Sequence, residues 1–304
     1  LISRIFYIKI FIISFFFLKK ILKKNKPEYL IIHLITSLPL ILFFFYRFNT
    51  KLILRISGQP KLTFFRKIIW KLSKKNIHFV TVPTKETLKK IKKLKIFDQK
   101  KIYYLPDPVF LKKEIDSYYK KKLKFKYPYI LNIGRLTEQK NQIILINFFL
   151  KISKKYKKIN LFILGEGEKF KELLSLAKKL NIEKKIKFLG HKKNVYQYIN
   201  KSLCVIVSSL WEDPGFVMIE SAALKKTVIS SNCPSGPKEF FDNGKNGFLF
   251  KNNNIKSLIS TFDQFMCADK NKLKKYIKIN FRKSMKFSEI DHSKNFDKLF
   301  KINE

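Results

Sequence analysis

From Tyr129 to Ser231 the chain alternates short, uninterrupted apolar runs with amphipathic stretches of helical spacing. Strands are predicted at Tyr129–Gly134, Leu161–Gly165, Ile186–Gly190, Cys204–Ser209 and Thr227–Ser231, and helices at Gln142–Tyr156, Lys169–Leu180, Asn194–Lys201 and Gly215–Leu224. A strand that is apolar along its whole length is buried on both faces. Repeated strand–helix alternation therefore means a parallel sheet covered by helices on each side. Residues 1–126 carry a less complete version, with strands expected at Tyr29–His33, Leu52–Ile56, Phe79–Pro83 and Lys101–Leu105. The reading is two α/β domains, an N-terminal one over 1–126 and a C-terminal one over 127–304 that ends in helices. The charge-dense segment Lys112–Lys126, followed by Pro128, is read as the linker, and eight of the nine glycines lie at or beyond Gly134. In open α/β sheets ligands bind at the carboxyl ends of the strands, so the loops that follow them are where chemistry is sought.

With 46% hydrophobic and 29% charged residues, collagen-like and largely disordered chains are excluded. Cys204, Cys233 and Cys267 are too scattered for a disulfide framework or a zinc site, which points to a reducing, cytoplasmic setting. The chain opens on Leu1 in mid-pattern, and a truncated N-terminus is expected. Two apolar runs raise the question of a membrane. Ile5–Leu18 is short and interrupted by Lys9. Tyr29–Tyr46 carries His33, Thr36, Ser37 and Pro39 and reads as a strand, a turn and a helix starting near Thr36–Pro39. The net charge is +43, and residues 1–126 hold 31 basic and 6 acidic side chains against 34 and 16 in the remainder. An AT-rich genome would produce part of that bias. A basic surface attracts anionic lipid, nucleic acid or phosphorylated substrates, and charge alone does not choose among them. A salt-sensitive surface contact through Phe/Ile/Lys-rich helices is expected rather than a span. A specific nucleic-acid function is disfavoured, because no recognition motif interleaved with aromatics accompanies the lysines.

Several motifs fall on strand–loop–helix junctions. Gly134-Arg135-Leu136 followed by Lys140-Asn141 puts two cations where a helix start offers backbone N–H groups, which is either an anion site or an ordinary loop in a lysine-rich protein. Gly165-Glu166-Gly167 allows close backbone approach or merely a tight turn, and Phe188-Leu189-Gly190 is similar. In Glu212-Asp213-Pro214-Gly215-Phe216-Val217-Met218-Ile219-Glu220 a loop carboxylate precedes a helix start. Glu220, among apolar neighbours, is either surface-lying or a buried acid that needs a partner such as ribose hydroxyls. No D-x-D occurs, so a metal clamp of the acidic-pair type has no obvious ligands.

The order of these motifs resembles the retaining glycosyltransferases of family 4, the large group 1 class. Ser231-Asn232-Cys233-Pro234-Ser235-Gly236-Pro237-Lys238-Glu239 and Asn243-Gly244-Lys245-Asn246-Gly247-Phe248-Leu249 extend the likeness. It is strong over Tyr129–Phe250 and weaker over Lys26–Asp107, where Lys26-Pro27-Glu28 and His33 look like the family's strand pattern. The resemblance implies a glycosyltransferase B-type fold, two Rossmann-like domains facing across a cleft, with a UDP- or GDP-sugar donor on the C-terminal side. It assigns Arg135 and Lys140 to the donor diphosphate, Glu220 to the ribose, Glu212 with Gly215, Phe216 and Val217 to the donor sugar and phosphate, and Gly134, Gly165 and Gly190 to the donor's surroundings. Glu212, Arg135 and Lys140 are then the catalytic candidates, and no metal or other cofactor is expected. His33, Ser57 and Gly58 fall on the acceptor side. Many members have a His where this chain has Ser57, and the usual glycine-rich loop after the first strand is absent. The implied activity is retaining sugar transfer to a lipid-linked or cell-envelope glycan acceptor at the inner face of the cytoplasmic membrane, as in polysaccharide or lipopolysaccharide biosynthesis. An inactive partner subunit is the alternative that the missing loop permits.

Overall fold

The computed structural model describes residues 2–34, 36–58, 60, 62–118 and 127–303, with side chains from Lys9 onward. It divides into two compact units, Leu1–Pro106 with Phe296–Glu304, and Asp107–Asn295.

In the first unit a 24-residue helix, α1 (Ile2–Asn25), leads into alternating elements: β1 (Tyr29–His33), α2 (Ser37–Phe45), β2 (Lys51–Arg55), α3 (Phe64–Ser73), β3 (Ile77–Val82), α4 (Lys85–Lys93) and β4 (Ile102–Tyr104). The strands pair in parallel in the order β1-β2-β3-β4. Thr63 and Thr84 cap α3 and α4 by accepting the N–H of Arg66 and Thr87. Strand alternation sends Leu52, Leu54, Val80 and Val82 into a core shared with Leu40, Leu42 and Trp70, while Ile53 and Phe79 point to the opposite face.

The second unit contains α5 (Lys112–Tyr118), β5 (Tyr129–Ile133), α6 (Gln142–Lys155), β6 (Asn160–Leu164), α7 (Phe170–Lys179), β7 (Ile186–Phe188), α8 (Tyr196–Lys201) and β8 (Cys204–Val207). There follow α9 (Phe216–Ala223), β9 (Val228–Ser231), α10 (Gly236–Phe240), β10 (Phe248–Phe250), α11 (Ile255–Met266), α12 (Lys270–Ser284) and the start of α13 (Glu289–Asn303). Its six parallel strands run in the order β10-β9-β8-β5-β6-β7. The chain winds outward from β5 to β7, then returns to the other side of β5 and winds outward again. The carboxyl ends of β5 and β8 therefore flank a topological switch point. Ile130, Leu161, Ile163 and Ile206 bury one face against α6 and α11, while Tyr129, Leu131, Phe162 and Val205 bury the other against α8 and α9.

Two parallel-sheet units of this kind agree with the fold class expected from the sequence. The division differs, falling at Pro106 where the sequence suggested 126. Phe110 and Ile115 are buried beside Tyr129 and Leu131, and Lys112 N–H donates to the Glu289 carboxylate, so Lys112–Tyr118 is a packed helix of the second unit. The rest of the expected linker, 119–126, lies outside the described residues. Charge density concealed α5, because only one face of so short a helix is apolar.

The sequence also gave no sign that the chain's end returns to the first unit. Leu299 is buried against Ile53, Phe79 and Leu105, and the Phe300 ring packs edge-on to Tyr29 at 4.5 Å. Leu299→Ala is expected to destabilise the first unit by about 2–4 kcal/mol. Native-state hydrogen exchange should show faster opening of β2 and β3 with little change in β5 and β6.

Candidate functional site

Backbone contacts hold the loops after β5, β6 and β7 edge to edge. Gly134 N–H donates to Leu164 O, Leu136 N–H to Glu166 O and Gly165 N–H to Gly190 O. Gly165 sits at φ +134°, and a Cβ there would come within 2.0 Å of Gly134 O. The close approach that the Gly165-Glu166-Gly167 motif suggested is thus met by the chain's own neighbouring loop. These loops border a cleft of about 290 Å³ whose walls include Gly134, Arg135, Gly165, Glu166, His191 and Lys192. Glu166 Oε1 accepts the His191 N–H at 3.2 Å, which ties the wall together. His191 and Lys192 were not singled out in the sequence, although their signal was present: they directly follow Gly190, at the end of a strand.

Across the switch point, the loop after β5 is joined to the loop after β8. Leu210 N–H donates to Gln139 O, Gln139 Nε2 to Trp211 O at 3.0 Å, and Ser208 Oγ to Lys140 O at 2.7 Å. At the centre, Lys140 Nζ lies 2.5 Å from Glu212 Oε1, and Ser209 Oγ donates to the same oxygen at 2.5 Å. Glu212 is 8% exposed, so the ammonium and the hydroxyl replace the water that its carboxylate has lost. The aliphatic stem of Lys140 crosses Gly134 so closely that a Cβ there would lie 3.3 Å from it. Lys140, Glu212 and Gly134 are therefore brought together, with Arg135 on the adjoining cleft.

Gly215, at φ +99°, turns the chain into α9, where Phe216 is exposed and Val217 half-buried. Glu220 sits between Ile219, which is buried, and Ser221, whose hydroxyl bonds back to Val217 O. Among the described residues no side chain pairs with its carboxylate, and burial pushes that carboxyl up to about 7. His33, Ser57 and Gly58 belong to the first unit. His33 Nε2 and Ser57 Oγ are 2.5 Å apart, and Gly58 adopts φ +74°. No group of three or more metal-ligating side chains occurs among the described residues.

The model for the family "Glycosyl transferases group 1" matches residues 115–283. An uncharacterised glycosyltransferase of Methanocaldococcus jannaschii is 34% identical over 72% of this chain and 59% of its own length. The chain belongs to the group 1 glycosyltransferases. An enzyme of Campylobacter jejuni named as a 4-alpha-N-acetylgalactosaminyltransferase acting on a diphospho-undecaprenol-linked sugar is 33% identical over 56% of this chain and 43% of its own. The chain thus spans little more than half, or less, of these curated relatives. Among solved structures, a Rickettsia africae glycosyltransferase superposes with TM-score 0.79 at 18% identity, covering 96% of this chain and 81% of that one. The Anabaena HepE structure in complex with UDP gives TM-score 0.76 at 15% identity, over 93% and 81%. These likenesses show a two-Rossmann-like, glycosyltransferase B-type fold for this group 1 member. Among the described residues no helix is long and apolar enough to cross a membrane.

Burial makes ionisation of Glu220 costly in the folded state. Below the ordinary value of 4.5 both folded and unfolded chains carry the neutral acid, so nothing is lost. The penalty grows as the pH rises from 4.5 to about 7 and is complete above that. Glu220→Gln, which never ionises, is therefore expected to melt at a higher temperature than the wild type at pH 8 and at the same temperature near pH 4.5. Thermal scans at the two pH values check this, and equal melting at pH 8 contradicts it.

Proposed function

We propose that the protein transfers a sugar, with retention of anomeric configuration, from an α-linked nucleoside-diphosphate sugar to a lipid-linked or cell-envelope glycan acceptor. The observation that carries the reading is the ion pair of Lys140 with the buried Glu212 at the switch point of the second unit, with Arg135 lining the adjoining cleft. Breaking a sugar–diphosphate bond builds negative charge on the departing oxygen and positive charge on the anomeric carbon. Fixed cations at the diphosphate and a fixed carboxylate beside the sugar stabilise that separation more than they stabilise the ground state. Arg135 and Lys140 would neutralise the diphosphate without a metal ion, and Lys140 would share its ammonium between the donor and Glu212. Glu220 would take the ribose hydroxyls, and the N–H groups at the start of α9 would face the donor phosphate.

The acceptor oxygen would attack the anomeric carbon from the face that the diphosphate leaves. The sugar–oxygen bond breaks with its electron pair going to the diphosphate, and that oxygen takes the acceptor proton. The products are a nucleoside diphosphate and an α-glycoside. No side-chain base is needed, which suits a chain with Ser57 on the acceptor side. The activity for which the Campylobacter relative is named, alpha-transfer onto a diphospho-undecaprenol-linked sugar, and UDP in the Anabaena structure support the donor and acceptor classes.

Surface chemistry supports a site of action at the cytoplasmic face of an anionic membrane. On α1 Ile12, Ile13, Phe16 and Phe17 are exposed ahead of Lys19, Lys20, Lys23 and Lys24, and on α3 Phe64 and Phe65 are exposed beside Lys67. Apolar side chains with adjacent lysines suit a lipid interface.

Arg135→Ala and Lys140→Ala are each expected to lower kcat/KM about 10–100-fold, from loss of charge-assisted contacts worth roughly 1.5–3 kcal/mol. Glu212→Gln should lower kcat while harming donor affinity less than Arg135→Ala does. In the same assay, activity with α-linked UDP- or GDP-sugars should survive EDTA and give an α-linked product by NMR coupling constant. A β-linked product, or activity that EDTA abolishes and manganese restores, overturns the mechanism.

In flotation, the protein should rise with anionic vesicles at low salt and be released at high salt, where screening removes the lysine attraction. Retention after a high-salt wash, or equal flotation with neutral vesicles, contradicts the surface reading.

A further inference from the structure

Ser209 lies just beyond the end of β8 and is 1% exposed. Its hydroxyl donates to Glu212 Oε1 at 2.5 Å, and Lys140 Nζ meets the same oxygen at 2.5 Å. An ionised carboxylate only accepts, so the hydroxyl proton is committed to this contact. Each carboxylate oxygen offers about two lone-pair directions, and the ammonium and the hydroxyl take those of Oε1. Neither bond involves Oε2, which is left for a ligand.

The surroundings hold this arrangement in place. A Cβ at Gly215 would lie 3.5 Å from Glu212 Cβ, so the stem of the side chain packs on that turn. Gly236 N–H donates to Glu212 O at 3.1 Å, which ties the backbone of Glu212 to the start of α10. Ser209 is anchored in turn from the neighbouring strand. Ser231, buried at the end of β9, donates its hydroxyl to Ser209 O at 2.5 Å. The Ser209 hydroxyl is therefore fixed before any ligand arrives, which is what precise placement of a reacting group requires. The two donors on Oε1 differ in one respect. Lys140 carries a charge on a long, flexible stem, and the functional reading divides its ammonium between Glu212 and the donor diphosphate. Ser209 is short, neutral and buried, so its contact persists when the ammonium is shared.

We propose that Ser209 is a positioning residue for the transfer reaction. It holds Glu212 Oε1 while Lys140 is shared with the donor, and thereby keeps Oε2 turned toward the anomeric carbon. The proposal rests on the functional reading above, which gives Glu212 its role.

The test is a double-mutant cycle, with kcat and donor KM measured on the α-linked UDP- or GDP-sugar that the protein uses, and with UDP binding by thermal shift as the check on folding. Ser209→Ala is expected to lower kcat about tenfold or more, the effect of losing a hydrogen bond to a charged group, with donor KM and UDP affinity little changed. Ser209→Thr, which keeps the hydroxyl, should recover part of the loss. In the Glu212→Gln background the further loss from Ser209→Ala should shrink to less than about threefold, because residues that act through one another are not additive. If Ser209→Ala no longer binds UDP, Ser209→Cys, which keeps the size and weakens the donor, takes its place in the cycle. An undiminished loss in the Glu212→Gln background means that Ser209 supports the fold and not the carboxylate, and overturns the proposal. Wild-type kcat in folded Ser209→Ala overturns it as well. Wild-type kcat in Glu212→Gln is a different failure, since it removes the functional reading itself and the proposal with it.

Discussion

The ion pair between Lys140 and Glu212 ties together the two halves of the second sheet at the point where they would otherwise part. The helices that follow β5 and β8 lie on opposite faces, and a crevice opens between the strands' carboxyl ends. Hydrogen bonds from Ser208 to Lys140 O and from Gln139 to Trp211 O hold the two loops in register. The buried carboxylate then fixes the lysine. A buried charge stripped of its partner is strongly destabilising, so the loops cannot separate without exposing Glu212 to that cost. The local fold at the switch point therefore depends on the two side chains proposed to carry the chemistry.

Glycine supplies the second constraint. With Gly165 against Gly134 O, the loops after β5 and β6 touch backbone to backbone. Gly236, where a Cβ would fall 1.7 Å from Pro214 O, brings the loop after β9 equally close to the loop that opens α9. Side chains at these positions would spread the loops and enlarge the crevice. The small, closely bordered cleft beside Arg135 is a result of that packing.

Charge is distributed unevenly with respect to need. Many lysines lie on exposed helix faces, where each contributes little to stability. A few cations are placed by structure: Lys140 by Glu212, Arg55 by the Leu105 carbonyl, Arg135 by the turn after β5. Glu220 is the reverse case, a carboxylate kept among apolar neighbours with its ionisation discouraged. A group in that state would gain from a ligand that satisfies it, which is the part proposed for Glu220 within α9.

Much of this was legible in the chain. Uninterrupted apolar strands between amphipathic helices require parallel sheets buried on both faces, because no other arrangement covers such strands. Glycines, Arg135, Lys140 and Glu212 fell on the loops after those strands because turn chemistry is local. Other features were decided by tertiary structure. Strand order, the contact between Lys140 and Glu212 across 72 residues, and the return of Leu299 and Phe300 to the first unit are not encoded in any short window. The physical reason is common to all of them. Local pattern states which faces must be buried and which side chains a turn will present, but which buried face meets which is settled only when distant segments compete for the same apolar surface and close the chain upon itself.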